Sequence, residues 1–455
     1  MYRPALLAAA LAAAFPAYAD SDLDALRAEL KDMKTAYEAR IQALEVRLQQ
    51  AEARTESVAA QAVQAEAAAD TPTTRRSFNP DISLILQGKY AHLEDRDERF
   101  VSGFLGADAH AHGGSERGFS VDGSELVLSA SVDPYFRGYL NAVLADGEVE
   151  VEEAWFQTSS LGQGLSVKGG RFRSGIGYQN EQHPHAWDFA TNNLVYEVLF
   201  GEGYGQDGVQ LKWLAPTDTF LELGAELGNG NAFPATNNGG NGANSVALFG
   251  HVGGDVGASN SWRAGLSWLR ARPGGREFES HDVNDIEVAG DFSGKSRTWL
   301  ADFVWKWAPN GNPTQQNLKF AAEYFQRKES GDLFCNTTEL GSPCTGGLTA
   351  PFAADQSGFY TQAVYQFMPQ WRVGYRYDQL LRGDVDFNGS DAGNTFETLA
   401  DYDPRRHSLM LDYSPSEFSR LRLQYSRDEA QEGVDENQFY VQYIMSLGSH
   451  GAHKF

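Results

Sequence analysis

The sequence predicts an all-β fold: a sixteen-stranded antiparallel transmembrane β-barrel preceded by an N-terminal α-helical coiled coil. Three observations carry this expectation. In one stretch Trp299, Ala301, Phe303, Trp305 and Trp307 alternate with Leu300, Asp302, Val304 and Lys306. A strand turns successive side chains to opposite faces, so one face here is wholly apolar and the other charged. The same alternation recurs along nearly the whole chain after Phe78, with no helical layer to cover the apolar faces. A closed barrel in lipid, apolar outside and polar inside, accommodates all of them at once. Finally, the connections alternate between short and long, which is the outer-membrane arrangement of short periplasmic turns and longer external loops. An even number of strands places both ends of the barrel on the periplasmic side.

Composition agrees. The chain has 455 residues and a net charge of −24, with 27 Phe, 19 Tyr, 9 Trp and 47 Gly. Mean hydropathy is −0.44, and after the N-terminus no apolar run reaches the length of a membrane helix, about 18 residues. Lipid contact only at every second residue fits both facts. The acidity, and the lack of a Lys/Arg cluster offering a phosphate footprint, exclude nucleic acid as a partner.

From the N-terminus, Met1–Ala19 reads as a secretory signal: Arg3, the apolar Ala5–Phe15, then Ala17-Tyr18-Ala19 as the cleavage site. Residues 20–69 are rich in Ala, Glu, Gln and Leu. There Leu23, Leu26, Leu30, Met33 and Tyr37, then Ile41, Leu44, Leu48 and Ala51, form a heptad seam with one stutter, the mark of a periplasmic coiled coil. Arg40 and Arg47 near the seam leave dimer against trimer open, with a homotrimer the leading expectation. Residues 70–77 are a linker and 78–455 the barrel. Strands are expected near 81–91, 119–132, 135–145, 148–159, 165–174, 205–214, 219–228, 244–254, 261–271, 297–307, 316–327, 357–367, 371–381, 405–413, 419–428 and 437–447. The last strand, with Phe439, Val441, Tyr443, Met445 and Leu447 alternating outward before the terminal Phe455, resembles the signal read by the barrel-assembly machinery. Cys335 and Cys344, nine apart in an exported chain, are expected to close one loop as a disulfide.

Alternation also assigns the lumen. Lys89, Arg137, Lys168, Lys212, Arg263, Lys306, Lys319, Arg372, Arg376, Arg420 and Arg422 face inward, against Glu125, Glu222, Glu226, Asp302, Glu323, Asp378 and Asp412, a mixed and mildly basic wall. The acidic residues concentrate in the long connections 92–117, 272–294 and 382–403, which predicts a negative mouth that gathers cations within about 8 Å, the Debye length at physiological salt.

The connection 175–204 is the most informative, and it contains no Lys or Arg. Its Glu181, His183, His185, Asp188 and Glu197, with Lys168 on the wall, are the candidate pore constriction. His183 and His185, with Glu181 and Asp188 nearby, are candidate ligands for a borderline divalent metal such as zinc, as are His110 and His112 in the first long loop. His-x-His is a weak signal alone, and solvated or structural histidines are the alternative. No cofactor is required; zinc enters as a ligand or as a transported ion. Enzyme chemistry is not expected, because no Ser sits in a G-x-S-x-G elbow and His407 faces lipid.

The general plan resembles the porin superfamily that includes phosphate-selective and stalked trimeric porins. In trimeric porins the third loop folds into the barrel, and the resemblance implies the same for 175–204. More closely, Phe78-Asn-Pro-Asp-Ile-Ser-Leu-Ile-Leu86, Asn180-Glu-Gln-His-Pro-His-Ala-Trp-Asp-Phe189, Asp207-Gly-Val-Gln-Leu-Lys-Trp-Leu-Ala-Pro-Thr-Asp218 and Ser446-Leu-Gly-Ser-His-Gly-Ala-His-Lys-Phe455 resemble a family of zinc-regulated outer-membrane proteins. Members of that family are sometimes labelled TonB-dependent receptors. Such a transporter has 22 strands around a folded plug, and a sixteen-stranded barrel behind a coiled coil departs from that pattern. The expectation is therefore passive diffusion of small solutes or ions across a Gram-negative outer membrane, with a link to zinc uptake. A zinc-regulated receptor, or a barrel that merely anchors a tethering stalk, is the alternative.

Overall fold

The computed structural model describes Lys31 and residues 80–448, apart from 97–98, 106–116, 122, 146–147, 237–240, 283, 285, 389–395 and 397–398. The expected signal and linker, and all of the coiled coil but Lys31, therefore lie outside the described residues, as do His110, His112 and Phe455.

Eighteen strands form one antiparallel sheet. They are β1 (Asp81–His92), β2 (Gly118–Ser120), β3 (Ser124–Ser131), β4 (Phe136–Ala145), β5 (Glu148–Thr158), β6 (Leu165–Arg173), β7 (Gly205–Leu214), β8 (Phe220–Gly228) and β9 (Ser245–Val256). The series continues with β10 (Asn260–Ala271), β11 (Gly274–His281), β12 (Glu287–Trp307), β13 (Asn317–Asn336), β14 (Leu348–Met368), β15 (Trp371–Asp386), β16 (Arg405–Ser416), β17 (Ser419–Glu429) and β18 (Glu436–Gly448). β2 and β3 both pair with β1, and β10 and β11 both pair with β12, so each couple is one interrupted span and the barrel has sixteen. β1 and β18 pair from Ser83↔Gly448 to His92↔Phe439 and close the ring. Closure leaves no open edge, which a sheet in lipid requires. The same pairing puts the two ends of the barrel at one rim, the rim of the short turns.

Alternation sets the faces as expected. On β12, Trp299 is 51% exposed while the neighbouring Leu300 is 2% exposed. The outward row on β13 runs Leu318, Phe320, Ala322, Tyr324 and then gives way to Gln326 and Lys328, which pair outward with Asp355. Arg171–Asp207 and Arg427–Glu429 are charged pairs near the long-loop ends of other strands. An apolar band of this height suits a tilted strand crossing lipid, about 9–11 residues. Each Leu or Phe moved from water into that band contributes about 1.5–3 kcal/mol.

The wall is uneven. β12, β13 and β14 run 20–21 residues, against 8–11 for β3 to β8. The excess stands beyond the apolar band at the long-loop end and encloses its own core of Phe278, Val288, Phe292, Leu333 and Phe352. Cys335 and Cys344 form the expected disulfide within this core.

Two sequence expectations change here. The connection 272–296 is largely the β11–β12 hairpin, and 328–356 and 382–404 are partly strand. Consequently Glu277, Glu279 and Glu287 do not ring an opening. They point outward from the raised wall, because the inward positions are taken by Arg276, Phe278 and Val288. Of the other acidic residues assigned to the mouth, Asp97, Glu98, Asp108, Glu116, Asp285, Asp391 and Glu397 lie outside the described residues.

Candidate constriction site

The connection after β6 turns into the barrel instead of away from it. Its neck is closed by Asn180, whose side chain donates to the carbonyls of Ser174 and Tyr204 at 2.8 Å each and accepts from Tyr204 N at 2.6 Å. Glu226 on β8 accepts from Ser174 Oγ at 2.6 Å and Gly175 N at 2.9 Å. Glu323 on β13 accepts from the amides of Tyr178 and Gln179 at 3.0 and 2.9 Å, and from the hydroxyls of Tyr360 and Tyr196. Gly177 has φ +69 and lies against the Glu323 carboxylate, a place with no room for a Cβ. Two wall carboxylates thus hold the backbone of the loop where it enters the lumen.

Further along, Asn193 caps the helix α1 (Leu194–Phe200) by accepting from Tyr196 N, and Gly201 ends it at φ 57. Leu194, Val195, Tyr196, Val198, Leu199 and Phe200 are all buried, with Phe249, Leu269, Leu300, Phe325 and Leu380 of the wall around them. A surface helix has one apolar stripe, whereas one that is apolar nearly all round is buried; here the barrel interior supplies the surroundings. Phe104 joins this cluster, so the first long connection also dips inward: Ser102 N donates to Ala430 O at 3.0 Å, and Gly103 O accepts from Gln356 at 2.7 Å.

Between neck and helix, the loop reaches two poles of the wall. At the first, Asp188 meets Lys319 at 2.5 Å, Arg372 at 3.6 Å and Gln362 at 2.9 Å. Burial opposes the Asp188 charge, but Lys319 and Arg372 outweigh it and hold this carboxyl below the usual range. Arg422 donates to Trp187 O at 2.8 Å and pairs with Asp412 at 2.8 Å. Arg376 donates to the carbonyls of Thr191 and Asn192 at 2.9 and 2.6 Å, and sits 4.7 Å over the Phe189 ring. Glu197 pairs with Arg406 at 2.9 Å. With Arg420 and Lys306 this side is basic, and the side chains of Arg372, Arg420 and Lys319 keep 21%, 25% and 19% exposure. Replacing Asp188 by Asn removes a negative charge among these cations. The expected result is a reversal potential shifted toward anions under a salt gradient, with the barrel fold unchanged.

The second pole lies on β3, β4 and β5, nearly half the ring from β13 and separated from β17 by β18 and β1. A 3₁₀ turn, Pro184–Ala186, stacks the His183 and His185 rings with centroids 5.9 Å apart. His183 Nδ1 lies 2.9 Å from Glu152 Oε2 and 3.5 Å from Glu125 Oε2, and its Nε2 lies 3.0 Å from Glu153 Oε2. His185 Nδ1 lies 2.7 Å from Glu125 Oε1. Arg173 pairs with Glu152, and Lys168 sits 4.7 Å over the Trp155 ring on the same wall. Glu125, Glu152 and His183 bring one ligand atom each within 4.8 Å of one another, a set able to hold a cation.

The expected constriction residues thus separate. His183 and His185 come together, with the wall carboxylates Glu125, Glu152 and Glu153 as partners instead of Glu181 and Asp188. Asp188 does not join them, because Lys319 and Arg372 draw it to the other pole. Glu181 lies instead within electrostatic reach of Glu222 and Glu226. Elsewhere on the lumen wall Lys212 pairs with Glu222 at 2.8 Å and Arg263 with Asp302 at 3.2 Å.

Sequence reading missed Glu152 and Glu153. A β-bulge between Asn141 and Ala142 of β4 leaves an extra residue on β5, so two consecutive glutamates reach the same histidine. Beyond it Val149 and Val151 return to the outside, 65% and 37% exposed. The signal was the run Glu152-Glu153, which strict alternation cannot place on one face.

No family model matches the chain. An uncharacterized protein of Aquifex aeolicus is 32% identical over 408 residues, 85% of this chain and 82% of its own length. The chain belongs to that protein's family. Among solved structures it is similar to OmpT, an outer membrane protein of Vibrio cholerae in its trimer form (14% identity, 81% of this chain and 99% of that one, TM-score 0.49). It is also similar to OprB of Pseudomonas putida (13% identity, 81% and 94%, TM-score 0.49) and to the outer membrane channel DcaP of Acinetobacter baumannii (11% identity, 81% and 97%, TM-score 0.45). The sixteen-span barrel described above rests on strand pairing, not on these likenesses.

Proposed function

We propose that the chain is a porin-like channel of a Gram-negative outer membrane, passing small solutes or ions by diffusion and narrowed by the inward loop. The observation that carries this reading is a closed barrel with an apolar exterior and a charged interior, crossed by a loop anchored to opposite walls. Such a wall is costly unless the lumen serves water and polar solutes, since a barrel that only anchors is better filled with apolar side chains. Assembly as a homotrimer, insertion through the barrel-assembly machinery and zinc among the permeating solutes belong to this reading as proposals. Zinc draws its support from His183, His185 and the acidic wall beside them.

The experiment is swelling of proteoliposomes in neutral solutes of graded size. Swelling with the smallest solutes and a sharp cut-off above them supports a constricted channel. Swelling no faster than in protein-free liposomes would remove the reading and favour a receptor or anchor.

A further inference from the structure

We propose that His183, Glu125, Glu152 and Asn141 form a divalent-cation site that pins the inward loop to the barrel wall. Its bearing on conduction rests on the channel reading; the site itself rests on geometry alone.

Three atoms, Glu125 Oε2, Glu152 Oε2 and His183 Nδ1, converge on the Asn141 amide at 2.7, 3.4 and 3.1 Å. Asn141 is fully buried, and its Oδ1 has no partner among the described residues. With both carboxylates ionised, no placement of protons serves all these contacts. If His183 Nδ1 accepts from Asn141, its lone pair faces the Glu152 oxygen at 2.9 Å. If Nδ1 carries a proton for Glu152, it faces the Asn141 nitrogen as donor against donor. Turning the amide over relieves that contact but sets its oxygen against Glu125 Oε2. Amide O and N are exchangeable in such an assignment.

A cation resolves all three cases. With Oδ1 turned inward, the four atoms become two carboxylate oxygens, an amide oxygen and an imidazole nitrogen around one centre. That set suits a borderline divalent ion of the zinc type, whose bonds to such ligands are about 2.0–2.2 Å. The surroundings fit as well. Glu153 Oε2 lies 3.0 Å from Nε2, placed to accept its N–H and so leave Nδ1 for the metal, the carboxylate–histidine–metal relay of many sites. His185 holds the other oxygen of Glu125 at 2.7 Å. The ligands come from three wall strands and the loop, so the ion ties the loop to β3, β4 and β5.

The test uses the full chain, purified in detergent, stripped with chelator and titrated with zinc chloride. Bound metal is read by elemental analysis, and folding by the heat-dependent gel shift of the barrel. The expected result is one zinc per chain, lost in His183→Ala and weakened in Glu152→Gln. Glu153→Gln is expected to cost about tenfold in affinity through the relay, and the lipid-facing His407→Ala to bind as the parent does. No saturable zinc in the parent, or equal binding in a folded His183→Ala, overturns the proposal. Conductance of the same preparations separates the two readings. Conduction without zinc binding sinks the site alone, and zinc binding without conduction sinks the channel alone.

Discussion

Replacing residues 181–200 with a short Gly/Ser linker is expected to raise single-channel conductance several-fold and to admit solutes that the parent excludes. The segment removed carries α1, both histidines and Asp188, the part of this connection that spans the lumen between the two poles. The neck survives: Asn180 still bridges Ser174 and Tyr204, and Glu323 still accepts from Tyr178 and Gln179. The barrel is not expected to unfold, because its strands close through β1 and β18 without help from the loop. The wall groups left behind, Arg376 and Lys319 among them, gain water in a widened lumen and so do not become buried unpartnered charges. The check is conductance and solute cut-off in parent and variant, with the gel shift confirming a folded barrel. Equal conductance in both would place the constriction elsewhere.

The second large effect is on stability. Arg422 is fully buried, pairs with Asp412 at 2.8 Å, and donates to Trp187 O and Gln442. In Arg422→Met the buried Asp412 keeps Arg372 and a distant Arg420 at 3.8 Å, but loses its nearly symmetric partner. Removing one member of a buried pair costs about 3–5 kcal/mol, and the remaining arginines place the expected loss near the lower end. Arg372→Met, whose side chain keeps 21% exposure, is expected to cost markedly less because water screens what it leaves. The check is the urea concentration at which each variant loses its heat-modifiable form. Equal midpoints for the two would mean that the pole is wetter than its burial suggests.

How much of this is legible in the sequence depends on what each residue faces. Strands bounded by lipid were legible, because lipid demands an apolar residue at every second position: Leu421, Leu423 and Tyr425 announce β17. Where the wall rises beyond the lipid, that demand ends. Glu277 and Glu279 on β11 face water, so the segment reads as a charged loop although Arg276, Phe278 and Ser280 alternate inward. The inward course of the third long connection was expected only through resemblance. In hindsight Leu194–Phe200 carries a local sign of it, since a nearly all-apolar helix cannot stand exposed. His183 and His185 were legible as a pair, but their carboxylate partners were not. Glu125 is distant in sequence, and the bulge at Glu152 breaks the alternation that would have assigned it. Asp188 was grouped with the histidines by proximity along the chain, while its partners Lys319 and Arg372 lie across the lumen.

The most direct measurement is conductance of the purified parent protein in a planar bilayer under a salt gradient. A constricted channel gives small, stable, repeated steps with a defined reversal potential, and larger steps once residues 181–200 are replaced. A silent parent together with a silent loop-replaced variant, both folded by the gel shift, would contradict a conducting lumen altogether.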